Sequence, residues 1–521
     1  MKTTLNLRVN PEDAANTSLT ELLLTKHLGF KPAYWNIIKK SIDARQKQIK
    51  IQLTIAISDQ APERALPINY IDVQGAATTC HIIGTGPAGL FAALRCLEQG
   101  IKPILIERGK AVRARRRDLA LIQRQGHVNT DSNYCFGEGG AGTYSDGKLY
   151  TRSGSRREIE LVLNTLVAHG ANEDIRVEAH PHIGTNKLPE VIQNIRNRLI
   201  QHGAEFYFET RLTDITHNAS NVNAIEVQQG ASKTLWPVQN LILATGHSAR
   251  DIYYLLHKHH LQLQFKPFAL GFRIEHPQAF IDEHQYHCSE QARETLRKVL
   301  PAASYQLVTQ TPQAPVYSFC MCPGGVIAPC ATAPAELVTN GWSPSKRNNP
   351  FANAGIVAGI DQNHVKAFAK HEVFAGLAFQ QHIEQKAFQW GGGKLVAPAQ
   401  RAADFLQNKT SSSLPKSSYI PGLHAVNLNS LFTPDLAAAL KTALKTFNTK
   451  IKGFAGNEAL LVATESRTST PIRIPRQTNT LTHPQLNNLY PCGEGAGYAG
   501  GIVSAAIDGQ RVVDAMCRNN I

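Results

Sequence analysis

The stretch that most constrains this chain is Gly84-Thr85-Gly86-Pro87-Ala88-Gly89, because of what flanks it. Cys80-His81-Ile82-Ile83 reads as a buried strand. Ala88 to Leu97 carries apolar residues at helical spacing, with Gly100 as a stop signal, and Pro103-Ile104-Leu105-Ile106 reads as a second strand ending at Glu107. A glycine turn between strand and helix, with an acid closing the next strand, is the pattern that holds a dinucleotide. Gly84 permits the tight turn, Gly86 lets the backbone approach a pyrophosphate, and Gly89 lets helix and strand pack closely. Pro87, which has no N–H of its own, opens the helix, and the first amides from Ala88 onward are unpaired and face the phosphate charge. Glu107, followed by Arg108, is the candidate acceptor for the adenosine ribose hydroxyls. The unit alone does not separate an NAD site from an FAD site.

The rest of the chain narrows the choice. At 521 residues it is long enough for two or three domains. Nine scattered cysteines form no disulfide framework, no run is long and apolar enough to span a bilayer, and Met1-Lys2-Thr3-Thr4-Leu5 opens no secretion signal. The expectation is a cytoplasmic protein without a membrane partner. The net charge of +14 is compatible with nucleic acid, an anionic lipid surface or acidic ligands. Its basic clusters, Lys39-Lys40 and Arg113 to Arg117, are short and lack interleaved aromatics. Nucleic acid therefore ranks behind a small-molecule substrate, and anionic cofactors account for part of the charge.

Three units in four segments are expected: a small α+β module (1–77), a cofactor domain in two parts (78–265 and 481–521), and an inserted mixed substrate domain (266–480). In the first, Leu5 to Val9 and Ile49 to Ile55 alternate as strands. Ser18-Leu19-Thr20-Glu21 reads as a capping box opening a helix, Trp35 to Ala44 reads as a second helix, and Pro62 to Pro67 reads as a linker. Further on, Glu205 to Glu209 and Ala224 to Val227 read as strands of a meander containing Leu212. Leu241 to Gly246 reads as a buried strand with a turn, and Leu489 to Gly495 as a strand leading to a last helix.

Three segments resemble parts of known flavoproteins. Gly137-Glu138-Gly139-Gly140-Ala141-Gly142-Thr143 is a second glycine-rich loop, Ala244-Thr245-Gly246 a return turn, and Gly493-Glu494-Gly495 through Gly500-Gly501-Ile502 a closing motif. With Ser132 to Leu149, Ala244 to Asp251, Lys266 to Arg273, Phe319 to Gly325 and Lys40 to Arg45, the chain resembles the FAD-dependent dehydrogenase family of bacteria. That family lies within the glutathione-reductase-like flavoprotein group. The resemblance spans nearly the whole chain. It implies an α/β fold with a discontinuous FAD domain of the two-dinucleotide-binding, Rossmann-like type. FAD would contact Gly139, Gly140, Thr143, Leu212, Thr245, Gly246, Gly493, Gly500, Gly501 and Ile502, besides the first turn, Glu107 and Arg108. Glu494 would stand where such proteins usually place an aspartate on the ribityl chain.

No second complete dinucleotide unit follows, and no CxxC or CxxxxC lies beside the turn, so a thiol relay of the disulfide-reductase kind is not expected. Hydride would pass directly between flavin and a ligand, with NAD(P)H as a transient reductant. Lys148, His247 and Arg273 are the candidate catalytic residues, as cations or anion binders; Arg273 has pairing with Glu275 as its alternative. Arg250 follows His247, and Glu465, Arg467 and Arg473 are anion-binding or ion-pairing candidates. Gly391 to Gly393 and Pro398 to Arg401 form either a mobile loop or a connection. Cys320 and Cys322 would point the same way in a strand, as a redox pair, metal ligands or inert thiols. A lone CxC is weak evidence for metal, so none is expected, and inert thiols rank first; the same holds for Cys135. An FAD-dependent oxidoreductase acting on a small, anionic or unsaturated metabolite leads. An FAD-dependent tRNA-modifying enzyme and a non-catalytic flavin-binding regulator are the alternatives.

Overall fold

The computed structural model describes residues 2–46, 48–61 and 68–519; the expected Pro62 to Pro67 linker lies outside them. The N-terminal module is a strand (Lys2–Val9), a helix (Thr17–Leu28) and two further strands (Tyr34–Asp43 and Lys50–Ser58), with Lys50–Ser58 central in an antiparallel sheet. Ile51, Leu53, Ile55 and Ile57 alternate inward from the central strand.

Two expectations are corrected here. The Trp35 to Ala44 stretch is a strand, not a helix. A bulge between Ile37 and Lys39 resets its register, so Trp35, Ile37, Lys40 and Ile42 stand opposite the inward set Ile57, Ile55, Leu53 and Ile51. The three-residue step from Ile37 to Lys40 imitates helical spacing. The helix before it is capped by Asn16, not Ser18: the Asn16 side chain accepts from Leu19 N at 3.0 Å, and Gly29 ends the helix at φ 78°.

The cofactor module is a five-stranded parallel sheet in the order Leu489–Pro491, Leu241–Leu243, Thr79–Ile83, Lys102–Ile106, Glu205–Tyr207. This is a Rossmann-like α/β sheet whose edge strand comes from the far end of the chain. The Pro87–Glu98 and Ile502–Asn519 helices pack against each other so closely that a Cβ on Gly509 would lie 2.2 Å from the Ala88 carbonyl oxygen. A three-stranded antiparallel meander, Thr210–His217, Val222–Gln229 and Ser232–Pro237, stands beside the sheet.

The third module is a seven-stranded, mainly antiparallel sheet in which Phe268–Pro277 lies between Phe351–Ile360 and Leu460–Glu465. Residues Phe268 to His276 are buried on both faces, as a central covered strand requires. Residues 398–401 belong to the strand Ala397–Arg401 inside this sheet and are not a loop, while Gly391 to Gly393 lie in the connection between the Ala375–Trp390 helix and that strand. Among the described residues no helix is long and apolar enough to cross a membrane.

Candidate functional site

A cavity of about 370 Å³ opens at the carboxyl ends of the parallel strands, the place where open α/β sheets take their ligands. Its floor is the first glycine turn. Gly84 has φ 101° and a Cβ there would meet the Ala244 carbonyl oxygen at 2.4 Å, while a Cβ on Gly89 would meet the Gly84 carbonyl oxygen at 1.9 Å. The protein's own packing explains those two glycines. Gly86 is different: its φ is −71°, and the nearest atom to a Cβ would be Gly140 Cα at 3.9 Å. Gly500 and Gly501 repeat the pattern at the start of the last helix, with nothing nearer than 3.9 Å and no positive φ. All three line the cavity. Glycine at these places leaves room for something outside the chain, and both helix starts aim unpaired amides at that room.

Of the expected cofactor residues, Gly84, Gly86, Pro87, Ala88, Glu107 and Arg108 line the cavity, as do Gly140, Leu212, Thr245 and Gly246, and Glu494, Gly500, Gly501 and Ile502. Gly89, Gly139, Thr143 and Gly493 shape the turns behind it instead. Thr143, for example, is fully buried and donates to the Glu138 carbonyl at 3.0 Å.

Glu107 is only 5 % exposed and its carboxylate is engaged by the protein. Oε2 accepts from the Thr85 amide (3.0 Å) and hydroxyl (2.8 Å), and Oε1 from the amides of Gly109 and Gly137, both at 2.9 Å. Four bonds fill a carboxylate's accepting capacity. Here Glu107 ties the two glycine loops together, a role the acid-after-strand pattern does not reveal. Arg108 is likewise committed, to Asp131 and Asp251, and lies over the Phe136 ring at 4.2 Å.

The second loop hangs on a residue that sequence reasoning assigned to a basic surface. Arg115, from the Arg113 to Arg117 run, is fully buried and donates to the carbonyls of Asn133 (2.7 Å), Tyr134 (2.8 Å), Gly137 (3.3 Å), Glu138 (2.9 Å) and Gly140 (2.9 Å). It organises the cavity wall and is unavailable to a polyanion.

Glu494 is half-buried against the cavity, and no group among the described residues hydrogen-bonds its carboxylate. Burial pushes it up to about 7, with Lys266 acting against the rise. An unpartnered carboxyl facing a glycine-lined cradle fits a polyol chain as ligand. The cavity, its two helix starts and this acid together fit a dinucleotide of FAD type.

At the other end the cavity meets the second sheet. His247 lines it and bonds Ser248 Oγ through Nδ1 at 2.8 Å; burial, reinforced by the charge of Arg467, lowers its imidazole to about 4, so it is neutral near pH 7. Arg467 also lines it, held by Glu384 and Glu336, which pair with Arg250 as well. Lys148 lines it, 3.3 Å from Asp146. Arg273 does not reach it: the side chain is fully buried and pairs with Glu465 at 2.8 Å, not with Glu275. Asp146, Asn340 and Phe319 also line the cavity. Phe319 arrives from a strand of the third module's sheet, and Asn340 arrives from the strand Thr339–Trp342 of a separate two-stranded sheet and has no local signature.

Fold and site together define a Rossmann-like dinucleotide-binding α/β protein. Residues 267–468 match the model described as FAD-dependent protein, C-terminal domain-like, and residues 1–58 match a domain of unknown function, DUF8436. A protein of Clostridium beijerinckii described as uncharacterized is 37 % identical over 500 residues, covering 92 % of this chain and 91 % of its own length; this chain belongs to the same family. Similar solved structures include an L-amino acid deaminase from Proteus vulgaris (9 % identity, 88 % of this chain and 96 % of that one, TM-score 0.38). Another is the flavin-dependent brominase Bmp2 as a triple mutant (11 %, 84 % and 79 %, TM-score 0.36). At scores this low the fold assignment rests on this chain's own strand order and glycine geometry.

Proposed function

We propose that this protein is an FAD-dependent oxidoreductase that moves hydride between flavin and a small, anionic or unsaturated metabolite, with NAD(P)H as transient reductant. The observation that carries the reading is the set Gly86, Gly500 and Gly501, cavity-lining glycines that no contact within the protein requires, beside the unpartnered Glu494. The amides at the start of the Pro87–Glu98 helix would hold the pyrophosphate. Glu494 would take the ribityl hydroxyls, and the amides opening the Ile502–Asn519 helix would face the flavin carbonyl edge. When bound, flavin supplies two-electron redox chemistry, and the chain binds, orients and tunes it. Neutral His247 stands at the wall, while Lys148 and Arg467, each beside its own carboxylate partners, would face an anionic ligand. The burial of Arg115 removes the centre of the longest basic run from any nucleic-acid surface, which favours this reading over a tRNA-modifying one.

Purified protein should be yellow and release FAD on heating, and anaerobic NADH or NADPH should bleach the flavin. Protein that carries no flavin, or flavin that neither reductant bleaches and no metabolite reoxidises, would sink the proposal.

A further inference from the structure

The strand Pro315–Cys322 pairs regularly with Phe351–Ile360 as far as Phe319 opposite Gly355, and resumes only at Cys322 opposite Asn353. Cys320 sits in the resulting bulge at φ 45°, a strained left-handed conformation for a non-glycine residue. The bulge carries Cys320 to the cavity wall, while Cys322 stays fully buried behind it.

Two cations converge on these sulfurs. Lys148 Nζ lies 3.6 Å from Cys320 Sγ and 3.7 Å from Cys322 Sγ. Arg273 donates to the Cys320 carbonyl at 2.9 Å and stands 4.0 Å from Cys322 Sγ. Acidic groups border the cluster: Asp146, shared by Lys148 and Arg347, and Glu465, paired with Arg273. Neutral thiols need no such cations; a thiolate does. Hydrogen bonding from Cys322, then the charges of Lys148 and Arg273, hold the Cys320 thiol well below its ordinary value against the effect of burial. Residues two apart on an extended strand have Cα atoms about 6.6 Å apart, inside the upper limit for a disulfide.

We propose that Cys320 and Cys322 are a redox-active thiol pair that stores two electrons beside the cofactor cavity, an inference that rests on the FAD reading of that cavity. In the oxidising direction the Cys322 S–H bond breaks and a bond forms between Cys320 Sγ and Cys322 Sγ. Two electrons and the released proton pass to oxidised flavin as a hydride equivalent. In the reverse direction reduced flavin returns them, the S–S bond breaks, Cys320 leaves as thiolate beside Lys148, and Cys322 takes the proton.

The test is an anaerobic reductive titration of the fully oxidised holoprotein, with heat-released FAD measured in parallel. Unmutated protein should consume about four electrons per flavin, two for the cofactor and two for the disulfide, and Cys320→Ser and Cys322→Ser about two. A readout free of mutation is the number of thiols alkylated after denaturing oxidised and reduced samples, which should differ by two, with the loss mapped to the peptide holding Cys320 and Cys322. Lys148→Met should make alkylation of Cys320 rise steeply with pH where the unmutated thiol reacts evenly. Two electrons per flavin and no thiol loss in protein that does hold FAD would overturn the pair. Absence of FAD would refute the flavin reading instead, and the thiol count after treatment with oxidised glutathione would still decide whether the two cysteines join.

Discussion

Gly86 opens the Pro87–Glu98 helix at φ −71° and ψ −176°, a conformation alanine adopts freely, and a methyl group there meets nothing closer than 3.9 Å. Gly86→Ala should therefore leave the apoprotein intact. Reduced freedom of the unfolded chain contributes about 0.4–1 kcal/mol in its favour, against a poorer helix cap of similar size. The cofactor should feel the change strongly. A methyl placed on the pyrophosphate path displaces the amide contacts at the helix start, and hydrogen bonds to a charged ligand contribute about 1.5–3 kcal/mol each. Losing two costs about 3–6 kcal/mol, or roughly 10²- to 10⁴-fold in Kd. Gly84→Ala is the control with the opposite signature: φ 101° and a 2.4 Å approach to Ala244 oxygen make it destabilise the apoprotein itself by about 2–5 kcal/mol. Urea unfolding of apoprotein and a fluorescence titration with FAD separate the two effects. If Gly86→Ala binds FAD as tightly as the unmutated protein, the pyrophosphate does not lie on this turn.

Arg115→Met strips charged donors from a set of buried carbonyls and should lower stability by at least about 3 kcal/mol in chemical denaturation; Arg115→Lys should rescue little, lacking the planar fork. Asn16→Ala should cost about 1 kcal/mol, read as faster hydrogen exchange confined to the N-terminal module, while Ser18→Ala should leave exchange unchanged. Glu494 sits at about 7 in the fold against 4.5 for a free side chain. As pH rises from about 4.5 to 7 the unfolded chain binds fewer protons than the fold, so this group makes apoprotein stability fall across that window. Glu494→Gln should flatten the fall, and superimposable pH series for the two proteins would refute the assignment.

The cofactor fold was legible because its signals are local: strand, turn and helix follow one another within a short stretch, and Gly84 and Gly89 have steric duties the sequence pattern encodes. What misled were features whose meaning depends on a distant partner. The bulge at Ile38 turned a two-residue rhythm into a three-residue step, and a strand read as a helix. The Arg113 to Arg117 run has the composition of a solvated face, yet the carbonyls that bury Arg115 belong to a loop some residues later. Glu107 lines the cavity where a ribose acceptor stands, and its bonds to Thr85 and to the second glycine loop depend on a segment the local pattern does not include. Cys320 and Cys322 carry no local sign of the cations beside them, because Lys148 and Arg273 are remote in sequence.

The parallel sheet is closed by Leu489–Pro491 and the Ile502–Asn519 helix, so the two helix starts of the cradle are made about 400 residues apart. At ordinary synthesis rates the turn at Gly89 waits roughly 20–80 s on the ribosome before Ile502 is made. Through that interval the face of the Pro87–Glu98 helix that receives Gly509 lies bare and the Leu241–Leu243 strand has an open edge. A cradle built this way cannot close until the inserted sheet has been made, so capture of a dinucleotide between the two helix starts would be a late step in the life of the chain.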